Sequence, residues 1–188
     1  MGAESAGTHQ GVRVLEASGA LRVDHVHVGE LHEAGQRRAS VGPSGTGRGE
    51  VGGFTVPAMN IRAATYDTAR AIFRTANKLD AGAFILEIAR SEIAYTDQRP
   101  AEYVTVMLAA AMREGYRGPV FVQGDHFQVN AKKYAAGAET EVDAVRQLAR
   151  EAIAAGFYNI DVDTSTLVDI AKPALDEQQR LNYEQAVE

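Results

Sequence analysis

Four short apolar runs, separated by stretches with helical spacing, limit this chain to very few architectures. The runs are Phe54–Asn60, Ala83–Ala89, Val120–Gln123 and Asn159–Asp163. Each is short and bounded by turn residues or polar residues, as strands of a buried sheet are. The intervals between them carry apolar residues three and four apart. Thr65 is placed to cap a helix with Ala69, Ile72, Phe73, Ala76 and Leu79 on one face. Thr96 or Asp97 is placed to start a second, with Tyr103, Val106, Met107 and Ala110 inward. Thr140, with Asp143 three residues on, resembles a capping box. It would open a third helix over Val142, Val145, Leu148, Ala149 and Ile153, which Gly156 would stop. From Pro173 a fourth helix carries Leu175, Leu181 and Tyr183. Strands that alternate with single helices predict an α/β fold with a parallel sheet, because parallel neighbours need a crossover between them.

The polar residues fall at one end of these runs. The first run ends in Asn60, and the second carries Glu87 near its end. The third leads through Gln123 into the adjacent pair Asp125-His126, and the fourth carries Asp161 and Asp163, two apart and so on one strand face. The C-terminal ends of parallel strands line the crevice where ligands bind. An amide, several carboxylates and an imidazole gathered there suit a divalent metal and a polar substrate. Plainer roles compete. An Asp-His pair also caps turns, and Glu87 and Asp161 are equally suited to internal ion pairs with Arg62 or Arg90. For Asp163 the functional role is the stronger reading.

Composition removes several classes of function. A net charge of −6 over 188 residues argues against a general nucleic-acid or anionic-membrane binder. Without cysteine there is no disulfide, thiolate metal site or thiol nucleophile. No apolar run approaches the ~20 residues that span a bilayer, and the N-terminus lacks a secretory pattern, so a cytoplasmic protein is expected. Residues 1–52 stand apart, with most of the 18 glycines and four of the five histidines. Val12–Leu15 and Leu21–Val28 alternate loosely and suggest a small hairpin, and Ser40–Gly49 reads as a flexible linker. His25, His27 and His32 lie close in sequence, but no carboxylate or cysteine stands at a matching spacing for a metal. A solvated, partly ordered extension is expected there, and residues 53–188 are expected to form the folded unit.

Several motifs of that unit, in order, resemble the class II, metal-dependent fructose-bisphosphate aldolases. Val56-Pro57-Ala58-Met59-Asn60-Ile61 is similar to the family's first strand, and Tyr66-Asp67-Thr68-Ala69-Arg70-Ala71 follows where its first helix begins. Pro119 to His126 resembles the third strand with its Asp-His ending. Phe157 to Ser165 resembles the fourth, with its Asp-(small)-Ser ending. The resemblance implies a (β/α)8 barrel of the TIM type, here cut to about its first four β/α units. It implies reversible aldol cleavage of a ketose bisphosphate to dihydroxyacetone phosphate and an aldehyde, with a zinc ion as Lewis acid. It implies that His126 is a zinc ligand, Asp125 the acid/base, and Asp163 a residue of a mobile or second metal position. It gives Asn60, Gln123 and Ser165 to the substrate, a phosphorylated ketose, and implies a homo-oligomer in the full-length family.

The chain departs from that pattern at Ala89, where the family often has a phosphate-binding serine, and at Gln123-Gly124, where a histidine-containing run is common. These departures leave tagatose bisphosphate or another phosphorylated ketose open as substrate. A full barrel takes about 250 residues, and the family's other zinc histidines and phosphate loops belong to its second half. The chain alone is therefore expected not to be a competent aldolase. The alternative is a non-catalytic barrel subunit or small-molecule binding module. A doubly wound phosphate-binding domain is weaker still, because Asn60-Ile61-Arg62-Ala63 follows the first strand without a glycine fingerprint.

Overall fold

A computed structural model describes residues 13–17, 20–24 and 56–187. The expected linker and the histidines at 25, 27 and 32 lie outside the described residues. Strands β1 (Arg13–Ala17) and β2 (Ala20–Asp24) pair antiparallel, from Arg13 opposite Asp24 to Ala17 opposite Ala20.

The remaining strands form one parallel sheet. β3 (Ala58–Asn60), β4 (Ile85–Ala89), β5 (Phe121–Gln128) and β6 (Asn159–Asp163) lie side by side in chain order. β3 starts only after Pro57, whose ring leaves no N–H for a ladder, although its carbonyl accepts from Ile85 N at 2.8 Å. The connecting helices are α1 (Thr65–Leu79), α2 (Arg90–Thr96), α3 (Pro100–Arg113), α4 (Ala131–Ala136), α5 (Ala138–Ala155) and, after β6, α6 (Leu175–Ala186). The strand order never reverses, so right-handed crossovers put α1, α3 and α5 on one face of the sheet. The side chains of that face, Leu86, Ile88 and Val122, share one core with Phe73 of α1, Tyr103 and Met107 of α3, and Leu148 and Ala152 of α5. The described sheet therefore lacks the strand-order reversal at which doubly wound domains bind their ligands.

Local chemistry explains most of the helices. α1 buries Ala69, Phe73 and Ala76, spaced as one helical stripe. α3 has Pro100 at its first position, where the missing N–H costs nothing. α5 closes on Gly156 at φ 100°, a left-handed position that favours glycine, and its N–H returns to Ala152 O and Ile153 O. At the far end of α1, Arg70 Nε and Arg74 Nη2 converge on Glu114 Oε1 at 2.8 and 2.9 Å. The two guanidiniums donate to this carboxylate and hold its pKa down to about 2, so α1 and the end of α3 stay charge-locked through the neutral range.

Several expectations are corrected. Thr140 lies inside α5, and Gly137 occupies the N-cap, so the proposed capping box does not form. Neither Thr96 nor Asp97 starts α3. Both close the short helix α2, with Asp97 in a left-handed cap at φ 54°. Leu79 is 69% exposed and Ile153 62% exposed, outside the buried stripes of their helices. α6 forms where expected, but Leu175, Leu181 and Tyr183 are all exposed. β5 extends three residues past Asp125, so Asp125 and His126 sit within the strand and not after it.

Two tyrosines, one buried and one half-buried, separate packing from hydrogen bonding. Tyr103 is fully buried and donates its hydroxyl to Glu87 O at 2.7 Å. Tyr116 packs its ring 5.0 Å from Phe73 and 5.7 Å from Phe84, and its buried hydroxyl has no partner among the described residues. Removing a bonded hydroxyl costs about 1 kcal/mol, and removing an unpaired one recovers its desolvation. Tyr103→Phe is expected to lower stability by about 1 kcal/mol, and Tyr116→Phe to leave it unchanged or raise it by up to about 1 kcal/mol, in urea unfolding at one pH.

Candidate functional site

Pairing between β5 and β6 runs in register at Gly124 opposite Ile160, then resumes at Phe127 opposite Val162. Asp125 and His126 together therefore face the single residue Asp161. This is a β-bulge, which bends a strand and re-aims its side chains. Adjacent strand residues otherwise point to opposite faces. The bulge is what lets an aspartate and the next histidine reach one place. His126 stands at φ 44°, a left-handed conformation that a non-glycine residue adopts at some cost. Its N–H is held by Asp161 Oδ2 at 3.2 Å. Gly124 makes room for the turn: a Cβ there would lie 2.6 Å from the fully buried Phe127 ring and 3.0 Å from Ile160 Cδ1.

The result is a three-residue cluster. Asp125, His126 and Asp161 each offer a ligand atom, and these atoms all lie within 4.8 Å of one another. His126 Nε2 is 3.8 Å from Asp125 Oδ1. One imidazole nitrogen and two carboxylate oxygens are donors of the types that divalent ions take. The residues present therefore fit such an ion.

A polar row runs below the cluster on the same face. Asn60, Glu87, Gln123 and Asn159 are successive register partners across the four strands. Asn159 Nδ2 donates to Gln123 Oε1 at 3.0 Å, and Gln123 Nε2 donates to Glu87 Oε2 at 3.0 Å. Glu87 is only 7% exposed and has neither Arg62 nor Arg90 as partner. Burial first, and then the negative charge of Asp125, raise its pKa. The two arginines serve other carboxylates: Arg62 Nη1 meets Glu92 Oε1 at 2.6 Å, and Arg90 Nη1 meets Glu141 Oε1 at 2.5 Å.

Glu92, at the start of α2, is a site residue that sequence reasoning missed. Its Oε2 accepts from Ala89 N at 2.9 Å and from Asn60 Nδ2 at 3.2 Å. Burial pushes its pKa up, but the Ala89 N–H, the Asn60 amide and the Arg62 guanidinium together hold it below the ordinary carboxylate value. Glu92 returns to the backbone N–H three residues before it, as a capping-box carboxylate does, but Ala89 offers no hydroxyl at the cap, so the sequence pattern does not show it.

The residues singled out from sequence separate into two groups. Asp125 and His126 are in the cluster, Asn60 donates to Asp125 Oδ2 at 2.8 Å, and Gln123 is in the row beneath. Asp163 is engaged elsewhere: Oδ2 accepts from Gln128 Nε2 at 2.6 Å and Oδ1 from Ser165 N at 2.9 Å. Burial raises its pKa, but the Ser165 and Gln128 hydrogen bonds outweigh it, and the carboxyl lies below its usual value. Asp161, for which an ion pair was an equal reading, takes the place beside His126. Ser165 opens a 3-10 turn (Ser165–Leu167) and serves Asp163 through its backbone.

The raised pKa of Glu87 has a definite sign in stability. A carboxyl whose folded pKa lies above its unfolded value favours folding most below the unfolded pKa, and that contribution disappears as pH rises through the folded one. Glu87→Gln keeps an acceptor for Gln123 without the charge. The variant is expected to be more stable than the parent at pH 8, with the difference closing towards pH 4, in urea unfolding across that range. In comparisons with known proteins, neither a scan against protein-family models nor a search of curated proteins found a match for this chain.

Proposed function

We propose that this chain carries the metal-binding half of a β/α-barrel aldolase site of the class II type, acting on a phosphorylated ketose. One observation carries the reading: the bulge gathers Asp125, His126 and Asp161 level with the C-terminal end of β4, where Ala89 pairs with Asp125, in a sheet that does not reverse its order. That is where barrel enzymes place catalytic side chains. A sheet whose crossover helices α1, α3 and α5 share one face is also the arrangement that closes into a barrel, whereas reversal leads to a doubly wound sheet.

In this reading His126 and Asp161 hold the cation, and Asp125 closes the set. When bound, a divalent ion such as zinc supplies Lewis-acid polarisation of the ketose carbonyl and stabilises negative charge on its oxygen. Asp125 Oδ1, facing His126, takes the proton of the substrate hydroxyl as the carbon–carbon bond breaks and returns it in the reverse direction. The amide row of Gln123 and Asn159 offers donors and acceptors to the sugar's hydroxyls. Asp163 orders the turn after β6 through Gln128 and Ser165, in place of the metal role that the family resemblance implies.

The described residues supply four strand–helix units, where a closed barrel has eight. The chain alone is proposed to bind a cation without completing turnover. Exposure of His126 and Asp161 favours the second reading, a small-molecule binding module or non-catalytic barrel subunit.

Zinc or cobalt titration by calorimetry tests the site. His126→Ala and Asp161→Asn are each expected to weaken binding by about ten-fold or more, and Asp163→Asn by less, on the scale of ligand and supporting-residue losses in metal sites. A parent that takes up no cation, or a larger loss at Asp163 than at Asp161, overturns the assignment. Dihydroxyacetone phosphate is expected to bind only the cation-loaded chain. If it binds neither form, the aldolase reading falls and the binding-module reading stands.

A further inference from the structure

The amide of Asn60 sits between two carboxylates from different parts of the chain. Asn60 Nδ2 donates to Asp125 Oδ2 at 2.8 Å and to Glu92 Oε2 at 3.2 Å. Both partners accept through carboxyl oxygens, so the nitrogen of the amide, not its oxygen, faces them. Glu92 is itself anchored. It is 4% exposed, bound by Ala89 N at the mouth of α2 and by Arg62 Nη1 at 2.6 Å. Ala89 is in turn the register partner of Asp125 in the sheet. A chain of hydrogen bonds thus runs from Arg62 through Glu92 and Asn60 to Asp125, with Asn60 and Asp125 carried on strands of the sheet and Glu92 on α2.

We propose that Asn60 is a positioning residue, tying Asp125 to the buried Glu92 so that Asp125 Oδ2 is occupied and Oδ1 is presented towards His126 and the cation position. This rests on the cation site proposed above. It also reassigns Asn60, which the sequence resemblance gave to the substrate. Both of its donor contacts are committed within the protein, so only its carbonyl oxygen faces outward chemistry. Without the tether Asp125 is free to rotate, or to turn both oxygens towards the ion, and the geometry of the set relaxes. Outer partners of this kind hold ligands in orientation, and their loss typically weakens metal binding by about 10- to 100-fold.

The test uses Co2+, whose visible absorption reports ligand geometry. Asn60→Ala and Asn60→Ser alter an exposed position at the end of β3, and thermal melting confirms that each folds. Both variants are expected to bind Co2+ about ten-fold more weakly than the parent and to shift its visible bands. In an Asp125→Asn background, Asn60→Ala is expected to have no further effect, because the two act through one carboxylate. A parent that binds Co2+ while Asn60→Ala matches it in affinity and spectrum overturns the positioning role and leaves the cation site standing. Additive losses in the double variant overturn it as well. A parent that binds no Co2+ overturns the site and the tether together.

Discussion

The interaction on which the site depends is the mismatch between β5 and β6. Two residues of one strand oppose one residue of the other, with Asp161 holding the amide of His126. A strand in unbroken register would send Asp125 and His126 to opposite faces, one to the helices and one to the open side. The bulge cancels that alternation once, at the place where an imidazole and a carboxylate need to meet. Its conditions are visible around it: no Cβ at Gly124, a fully buried Phe127 ring beside it, and a left-handed His126.

The rest of the sheet supports this position by register. Leu86, Ile88 and Val122 bury one face against the helices, which leaves the other face to Asn60, Glu87, Gln123 and Asn159. A slip of one residue would exchange the two sets, putting carboxylates in the core and leucine and valine in the open. The cost of burying unpaired polar groups therefore fixes the register, and the register aligns the polar row under the cluster. Glu87 is the strained member. It is a nearly buried carboxyl bound by one amide and facing other negative charge, which a cation above it would relieve.

Much of the fold is legible in the sequence. The four apolar runs marked four strands, and the spacing of Ala69, Phe73 and Ala76, or of Val142, Val145 and Leu148, marked helices that bury those residues. Boundaries were less legible. Thr140 and Asp143 have the right spacing for a cap, yet the chain had already turned helical at Ala138. Glu92 was passed over because a lone glutamate among Arg90, Ser91 and Ile93 has no periodic signature. Its role comes from Asn60 and Arg62, thirty or so residues away in sequence.

The sequence by itself determined the alternation of strand and helix, and it supplied polar residues to one face of each strand. These follow from local spacing and from the exclusion of unpaired polar groups from a core. Only the tertiary structure decided that Asp161 and not Asp163 joins His126. The two aspartates share a strand face, and the choice rests on a bulge in the neighbouring strand that changes the offset between chains. Cross-strand offset is a property of two segments packed together, and neither segment encodes it alone.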